Sequence, residues 1–260
     1  MKIAVCVKAV PGRLDPKAVA ANKGSFAVTS GKALINESDE SAVEEALALK
    51  KTAGGQVVAV SVGGSGAQDV LCKVSAKGVD RTIRVDATFL NPARTALILA
   101  SVIQREGCEL ILAGVESLDV MNSCVAGMVA GLLRVPFCFA VTGLEMAGKG
   151  RILVTKEVGG GTRKKLDVPL PAVLAIQPGI RPLSYPPAAL VIMAKRRPAN
   201  IIKLADLGIE DELRKRPEWA IDTVYVEEKR GAAAVTMLEG SVRDAARRIL
   251  SLTKDKLAGA

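Results

Sequence analysis

The chain contains no histidine in its 260 residues. That absence excludes a Ser-His-Asp triad, a Cys-His dyad, histidine-ligated zinc and haem with an axial histidine. Aromatic residues are also scarce, at 3% of the sequence with one tryptophan. Single-strand nucleic-acid binders need aromatic stacking platforms. The excess of 36 Lys+Arg over 27 Asp+Glu, a net charge of +9, is therefore not read as a nucleic-acid signature. A solvated surface explains it most simply, with acidic partners, nucleotides or a membrane surface as alternatives. The five cysteines (Cys6, Cys72, Cys108, Cys124 and Cys138) are odd in number and never at CxxC spacing. They are expected to be buried, reduced thiols in a reducing compartment, the cytoplasm. No run of about 18 uncharged apolar residues is present, so direct membrane insertion is not expected. The opening apolar run from Ile3 to Val7 is too short for the core of a secretion signal.

What the chain does have is alternation. Its first 140 residues read as strand and helix in turn. A strand is expected over 2–8, a Gly/Pro/Asp-rich stretch over 11–22 and an extended piece at 26–29. A helix over 40–51 has Asn36, Ser38 and Asp39 as candidate caps, and Gly54-Gly55 ends it. A strand over 56–62 turns through Gly63-Gly64-Ser65-Gly66 into a helix over 67–77, and a strand follows at 82–85. Asn91-Pro92 opens a helix to Arg105, with proline at the favoured first position. A strand over 109–113, a polar loop over 114–121, a helix over 122–134 and a strand over 137–142 complete this part. Such alternation predicts an α/β fold: a doubly wound, mostly parallel sheet of the adenine-nucleotide-binding type.

After residue 150 the pattern changes. Two short strands around Gly159-Gly160-Gly161 read as a hairpin, and 170–176 as another strand. Pro178, Pro182, Pro186 and Pro187 predict a surface loop, followed by the basic run Lys195-Arg196-Arg197. Residues 200–240 read as charged and irregular. A last amphipathic helix over 241–256 places Val242, Ala245, Ala246, Ile249 and Leu250 on one face. The expected division is an α/β nucleotide-binding domain over 1–190, including the hairpin and strand at 151–176, and an extended segment over 191–260 that packs on a partner subunit.

Ligands of open α/β sheets sit beyond the carboxyl ends of strands where strand order reverses. The candidate positions are Cys6, Val7, Lys8 and Ala9 after the first strand, Ser61, Val62 and Gly63 after the second, and Gly114 after the fourth. Gly63-Gly64-Ser65-Gly66 is neither GxGxxG nor a P-loop, and reads as a strand-to-helix turn. In the loop from Gly114 to Ser123, the residues Ser117, Asp119, Asn122 and Ser123 crowd a helix start, where free N–H groups and the helix dipole favour an anion or need a cap. Asn36 either caps its own helix or reads an adenine or ribose edge. Lys8 either faces a phosphate or is solvated. No set of acids, bases and nucleophiles assembles, so any redox chemistry needs a cofactor.

In order and spacing, the residues resemble the beta (small) subunit of electron-transfer flavoproteins nearly end to end. The resemblance is carried by Lys2-Ile3-Ala4-Val5-Cys6-Val7-Lys8 with Val10-Pro11, and by Ile35-Asn36 with Ala42-Val43-Glu44-Glu45-Ala46-Leu47. It continues through Gly78-Val79-Asp80, the segment from Gly114 to Pro136, Lys156-Glu157-Val158-Gly159-Gly160, and Leu170-Pro171-Ala172-Val173. Tyr185 and Ala194-Lys195-Arg196-Arg197-Pro198 match the end of a recognition loop.

The resemblance implies a heterodimer whose alpha subunit holds most of a FAD. The beta chain would hold AMP, or a second FAD in the bifurcating type, with phosphate on the helix start at Asn122, Ser123, Cys124 and Val125. It implies electron transfer from flavin dehydrogenases, such as those acting on acyl-CoA in fatty acid oxidation, to a quinone reductase or other acceptor. Partner docking falls to Leu183, Tyr185, Leu190 and Met193. The chain keeps Asp119 but has Ser123-Cys124-Val125 where the housekeeping type has Asn-Gln-Thr, and it lacks most of the bifurcating Gly-Asp-Thr-Ala-Gln-Val run. Ala188 stands where the family usually has an anchoring leucine, for which Leu183 or Leu190 would substitute. AMP and a second FAD both stay open, as does a stand-alone adenine-nucleotide sensor without flavin.

Overall fold

The structure is a computed structural model and describes residues 1–12, 33–87, 91–197, 199–216 and 237–257. The expected extended piece at 26–29, most of the Gly/Pro/Asp-rich stretch and part of the charged 200–240 segment lie outside the described residues. The chain forms two compact units, Met1–Val224 and Tyr225–Ala260.

The first unit is built on a nine-stranded sheet and a two-stranded ribbon. Its elements run β1 (Lys2–Cys6), β2 (Ala9–Pro11), β3 (Ala33–Ile35), α1 (Glu37–Ala53), β4 (Gln56–Val62), α2 (Ser65–Ala76), β5 (Arg81–Asp86), α3 (Pro92–Glu106), β6 (Leu110–Gly114) and α4 (Val125–Leu133). They continue with β7 (Phe137–Met146), β8 (Arg151–Glu157), β9 (Arg163–Pro169), β10 (Ala172–Ile176), α5 (Ala188–Lys195), β11 (Asn200–Lys203), a 3₁₀ turn (Leu204–Leu207) and α6 (Glu210–Arg214). The strand order is β11-β5-β4-β1-β6-β10-β7-β8-β9, with β2 and β3 paired separately. Pairing is parallel from β11 to β7 and antiparallel in β7-β8-β9. The α/β fold expected from the alternation is the fold observed.

The reason is visible in the strands. β1, β4, β6 and β10 are near-continuous apolar runs, as strands covered on both faces must be. Alternate residues feed two cores. Val57 and Ala59 of β4 pack with Val43 and Ala46 of α1 and with Val70 and Leu71 of α2. Val58 and Val60 pack on the other face with Ile98 and Val102 of α3 and with Val129 of α4. Each fully buried aliphatic side chain contributes roughly 1.5–3 kcal/mol. Helix ends follow local chemistry: the Asn91 Oδ1 accepts the Arg94 N–H at 2.9 Å, Pro92 opens α3, and Gly107 closes it in the left-handed region. The expected hairpin is β8-β9, turned by Gly159, Gly160 and Gly161, all at positive φ.

Four expectations need correction. The helix expected from residue 122 starts only at Val125, because Met121 and Ser123 take positive φ and keep the preceding loop open. The proline-rich stretch is not loop throughout: after Pro187 the prolines cease and Ala188–Lys195 forms α5, which packs on α2. Residues 200–203, read as irregular, form edge strand β11 beside β5, where pairing on one side suffices. Cys6, Cys72 and Cys138 are buried and Cys108 and Cys124 half-buried, so the expectation of five buried thiols holds for three, although all five are free.

In the second unit, α7 (Val242–Leu257) is the expected amphipathic helix. Val242, Ile249, Leu250 and Leu252 are exposed on it. Among the described residues no helix is long and apolar enough to cross a membrane.

Candidate functional site

Strand order reverses between β1 and β6. From β1 the chain moves outward through β4 to β5, and then returns to β6 on the other side. α1 and α2 cover one face, and α3 and α4 the other. The loops after β1 and β6 therefore diverge, leaving a crevice at the carboxyl edge of the sheet.

A single buried carboxylate spans that divergence. Asp39, in the first turn of α1, accepts the Lys8 N–H through Oδ2 and the Gly114 N–H through Oδ1, both at 2.8 Å. Gly114 permits the contact, since a Cβ there would lie 2.6 Å from Asp39 Oδ1 and 2.7 Å from Ser38 Cβ. Burial is the largest influence on the Asp39 carboxyl and raises it to about 6. The two N–H groups, the Asn36 amide and the Lys8 charge pull the other way without overcoming burial.

Asn36 and Ser38 do not cap α1 as the sequence suggests; they hold the loop after β6. The Asn36 Nδ2 donates to the Glu116 carbonyl at 2.7 Å and to Ser38 Oγ at 3.0 Å, while its Oδ1 accepts the Leu118 N–H at 3.0 Å. Ser38 Oγ donates to the same Glu116 carbonyl at 2.6 Å. Asn36 is buried with its amide engaged on both sides, so the structure gives it a positioning role and leaves no edge free for an adenine. The Lys8 ammonium pairs with Asp119 at 2.7 Å and reaches Ser117 Oγ at 3.2 Å, closing the loop from outside.

The loop ends at an uncapped helix. Cys124 stands at the N-cap of α4 with no side-chain cap bond, and the first turn carries no acid. Ser123, expected to cap it, instead donates to Glu116 Oε2 at 3.1 Å, because its positive φ turns it back along the loop. Asn122 and Ser123 are exposed, and Cys124 and Val125 half-buried. Among the described residues the first N–H groups of α4 thus have no side-chain cap, as an anion site requires.

The remaining expected positions are dispersed. Val7, Val62 and Gly63 lie at neighbouring strand ends, with the Val7 N–H bonded to Val60 and the Gly63 N–H to Val85. Ala9 opens the small ribbon, pairing with Ile35. Cys6 packs into the α3-side core, where burial and then the Asp39 charge raise its thiol strongly. Ser61 is buried on the opposite face of the sheet.

A second constellation, absent from the sequence reading, anchors the proline-rich segment. Lys77, whose side chain is 3% exposed, pairs with Glu40 and Glu44 at 2.7 Å each and donates to the Ser184 carbonyl at 2.7 Å. Glu44 also accepts the Ser184 N–H at 3.0 Å and hydroxyl at 2.8 Å. Burial would raise the Glu44 carboxyl, but the bonds from Lys77 and Ser184 outweigh it and hold it below the ordinary range. Buried Glu45 takes a fork from Arg181. Acid residues Glu44 and Glu45 inside the apolar stripe Ala42-Val43-Ala46-Leu47 were the available signal, since unpaired acids are rarely buried. From this anchor Tyr185 projects 84% exposed, with Leu190, Ile192 and Met193 exposed beyond it and Leu183 half-buried.

With this geometry in view, comparison with known proteins is specific. Residues 25–207 match the electron transfer flavoprotein domain. This chain belongs to the electron transfer flavoprotein family. It is 31% identical over 229 residues to the electron transfer flavoprotein subunit beta of Methylophilus methylotrophus, covering 85% of this chain and 86% of that one. It is 32% identical over 255 residues to the subunit of the same name from Syntrophomonas wolfei, covering 88% and 99%. An electron-transfer flavoprotein role follows from that kinship, and the switch-point crevice is where this member of the family has its built polar site.

Asp39 gives the family fold here a measurable pH signature. Its folded value of about 6 lies above the unfolded value of about 3.9, so the folded state binds the extra proton between them. The stability contributed is present below pH 4 and is lost as pH rises through about 6. Between pH 5 and 7 the wild type should lose about 1 kcal/mol from this group. Denaturant titrations of wild type and Asp39→Asn at both pH values check this. An unchanged difference between the two proteins across that window would refute it.

Proposed function

We propose that this chain is the beta subunit of a heterodimeric electron-transfer flavoprotein and holds an adenine nucleotide in the crevice between β1, β4 and β6. The observation that carries the reading is the uncapped start of α4, with no acid in its first turn, at the point where strand order reverses. That donor set fits a phosphate: backbone N–H groups at a helix N-terminus, with Asn122 and Ser123 exposed beside them. AMP, or the AMP half of a second FAD, is the nucleotide class that fits.

A bound FAD, held mostly by the alpha subunit, supplies the electron-carrying chemistry. This chain's residues position and exclude. Asp39 fixes the two strand ends at constant separation, and Asn36, Ser38 and Lys8 hold the loop so that the start of α4 keeps its aim. The exposed apolar face of α7 is read as a surface packed against the alpha subunit. The anchored segment carrying Leu183, Tyr185, Leu190 and Met193 is read as the docking element for flavin dehydrogenases and for a quinone reductase or other acceptor.

The test is a nucleotide inventory. The chain is co-expressed with its alpha subunit, the complex is denatured, and released FAD and AMP are quantified. One FAD and one AMP per heterodimer mean a single-flavin carrier; two FAD and no AMP mean a second flavin in this crevice. A lone chain with no complex and no flavin would overturn the reading in favour of a stand-alone nucleotide module. Ser123→Asp places a carboxylate at the start of α4 and should lower nucleotide retention by about tenfold or more through like-charge repulsion. Ser123→Ala, which loses only the Glu116 bond, should retain it. Equal nucleotide content in both variants would displace the phosphate from α4.

A further inference from the structure

A second cluster of polar donors lies one strand further out. β4 and β5 are paired in register with Ser61 opposite Arg84. In both strands the alternate residues Val58, Val60, Ile83 and Val85 face the α3 side. Ser61 and Arg84 therefore share the other face, side by side at the carboxyl edge, under the crossover into α2.

Both residues carry an unmet hydrogen bond. Ser61 is 1% exposed and its Oγ has no partner among the described residues. The Arg84 Nε is buried and likewise without a partner. Buried polar atoms are almost always satisfied, and a neighbouring pair left open points to a missing third group. The Arg84 head is held in place by its Nη1, which donates to the Gly63 carbonyl at 3.1 Å and to Asp86 at 3.0 Å. That bond to Gly63 sets the guanidinium beside the turn that opens α2. There Gly64 is the N-cap, no side chain caps the helix, and the first turn holds no acid. Among the described residues the one carboxylate on the guanidinium is Asp86, bonded through Nη1, which leaves Nε open.

We propose that Ser61, Arg84 and the first-turn N–H groups of α2 form an anion subsite for a phosphoryl group, distinct from the start of α4. A hydroxyl, a guanidinium and helix N–H groups are the donors that a tetrahedral oxyanion takes. The subsite stands on its own geometry and does not depend on a nucleotide at α4.

The experiment is calorimetric titration of the purified full chain, stripped of nucleotide, with inorganic phosphate, AMP and ADP at constant ionic strength. Wild type should bind inorganic phosphate saturably. Arg84→Met should weaken that binding by about 10- to 100-fold, the range of a lost charge-assisted hydrogen bond. Ser61→Ala should weaken it about fivefold without lowering the unfolding midpoint, since it removes an unsatisfied group. If the phosphoryl group belongs to a nucleotide, ADP should bind more tightly than AMP, and Arg84→Met should abolish that preference while AMP affinity stays. If it is a free phosphate, phosphate and AMP should bind together with unchanged affinities. Should Arg84→Met not fold, Arg84→Lys and Ser61→Ala carry the test. No saturable phosphate binding together with no ADP preference, or binding indifferent to all three variants, would overturn the subsite and assign the two open atoms to an internal water. AMP binding that fails while phosphate binding persists would count against the proposed function alone.

Discussion

Gly114→Ala is expected to lower the midpoint of thermal unfolding by roughly 10 °C, the consequence of about 3–5 kcal/mol in a domain this size. The added methyl group would overlap Ser38 Oγ and lie 2.6 Å from Asp39 Oδ1. Neither neighbour can retreat. Ser38 is bonded to the Glu116 carbonyl at 2.6 Å, and Asp39 is held by the Lys8 N–H at 2.8 Å. The substitution must therefore push α1 away from β6 and break the bond from the Gly114 N–H to Asp39, leaving a buried carboxylate short of a donor. Differential scanning calorimetry of the full chain measures the loss. The assignment to this contact is checked by a second change. Ser38→Gly removes the Oγ and Cβ that the methyl meets, so the double variant should recover part of the loss. A Gly114→Ala protein as stable as wild type, or a double variant with strictly additive losses, would show that the close approach does not govern the site.

Lys77→Met is expected to cost about 3–5 kcal/mol, because it strands two acids that are mostly buried. Glu40 and Glu44 lose their shared cation and the Ser184 carbonyl loses its donor. The damage should be local in function. Amide exchange should accelerate in the segment from Ile180 to Ser184, where Ser184 is bonded to Glu44. Under the proposed reading, electron transfer with a partner dehydrogenase should slow while nucleotide content of the heterodimer remains. A Glu44→Gln variant, which keeps an acceptor for Ser184 but loses the charge, should fall between wild type and Lys77→Met. Unchanged exchange in the 180–184 segment would mean that the loop is fixed by something other than this anchor.

The fold was legible because its signals are local. Apolar runs bounded by glycine, Asn91-Pro92 before α3 and the triple glycine between β8 and β9 each fix a short piece of backbone. The chain alternates these pieces in an order that only a parallel sheet accommodates. The misreadings have the same origin. α5 follows four prolines, and its eight residues become a helix through packing on α2. β11 is four residues with charged neighbours, and it is a strand because the edge of β5 is open to it. The delayed start of α4 depends on the positive φ of Met121 and Ser123, which no residue type there announces.

The candidate site divides in the same way. Its place at the ends of the first, second and fourth strands of the alternation could be read from order alone, and Gly114, Asp119 and Asn36 were named there. Their roles could not. Asn36, Ser38 and Asp39 have the composition of a helix cap, and as sequence they are caps. In the folded chain they reach 75 to 82 residues ahead, to Gly114, Glu116 and Leu118. The sequence by itself determined the alternation, the buried strands and the family, since these follow from propensity, periodicity and motif spacing. Only the tertiary structure decided that Asp39 joins two strand ends, that Lys77 ties down the proline-rich segment and that Ser61 lies beside Arg84. Hydrogen bonds and ion pairs are made between groups that meet in space, and a one-dimensional pattern carries no distance between them.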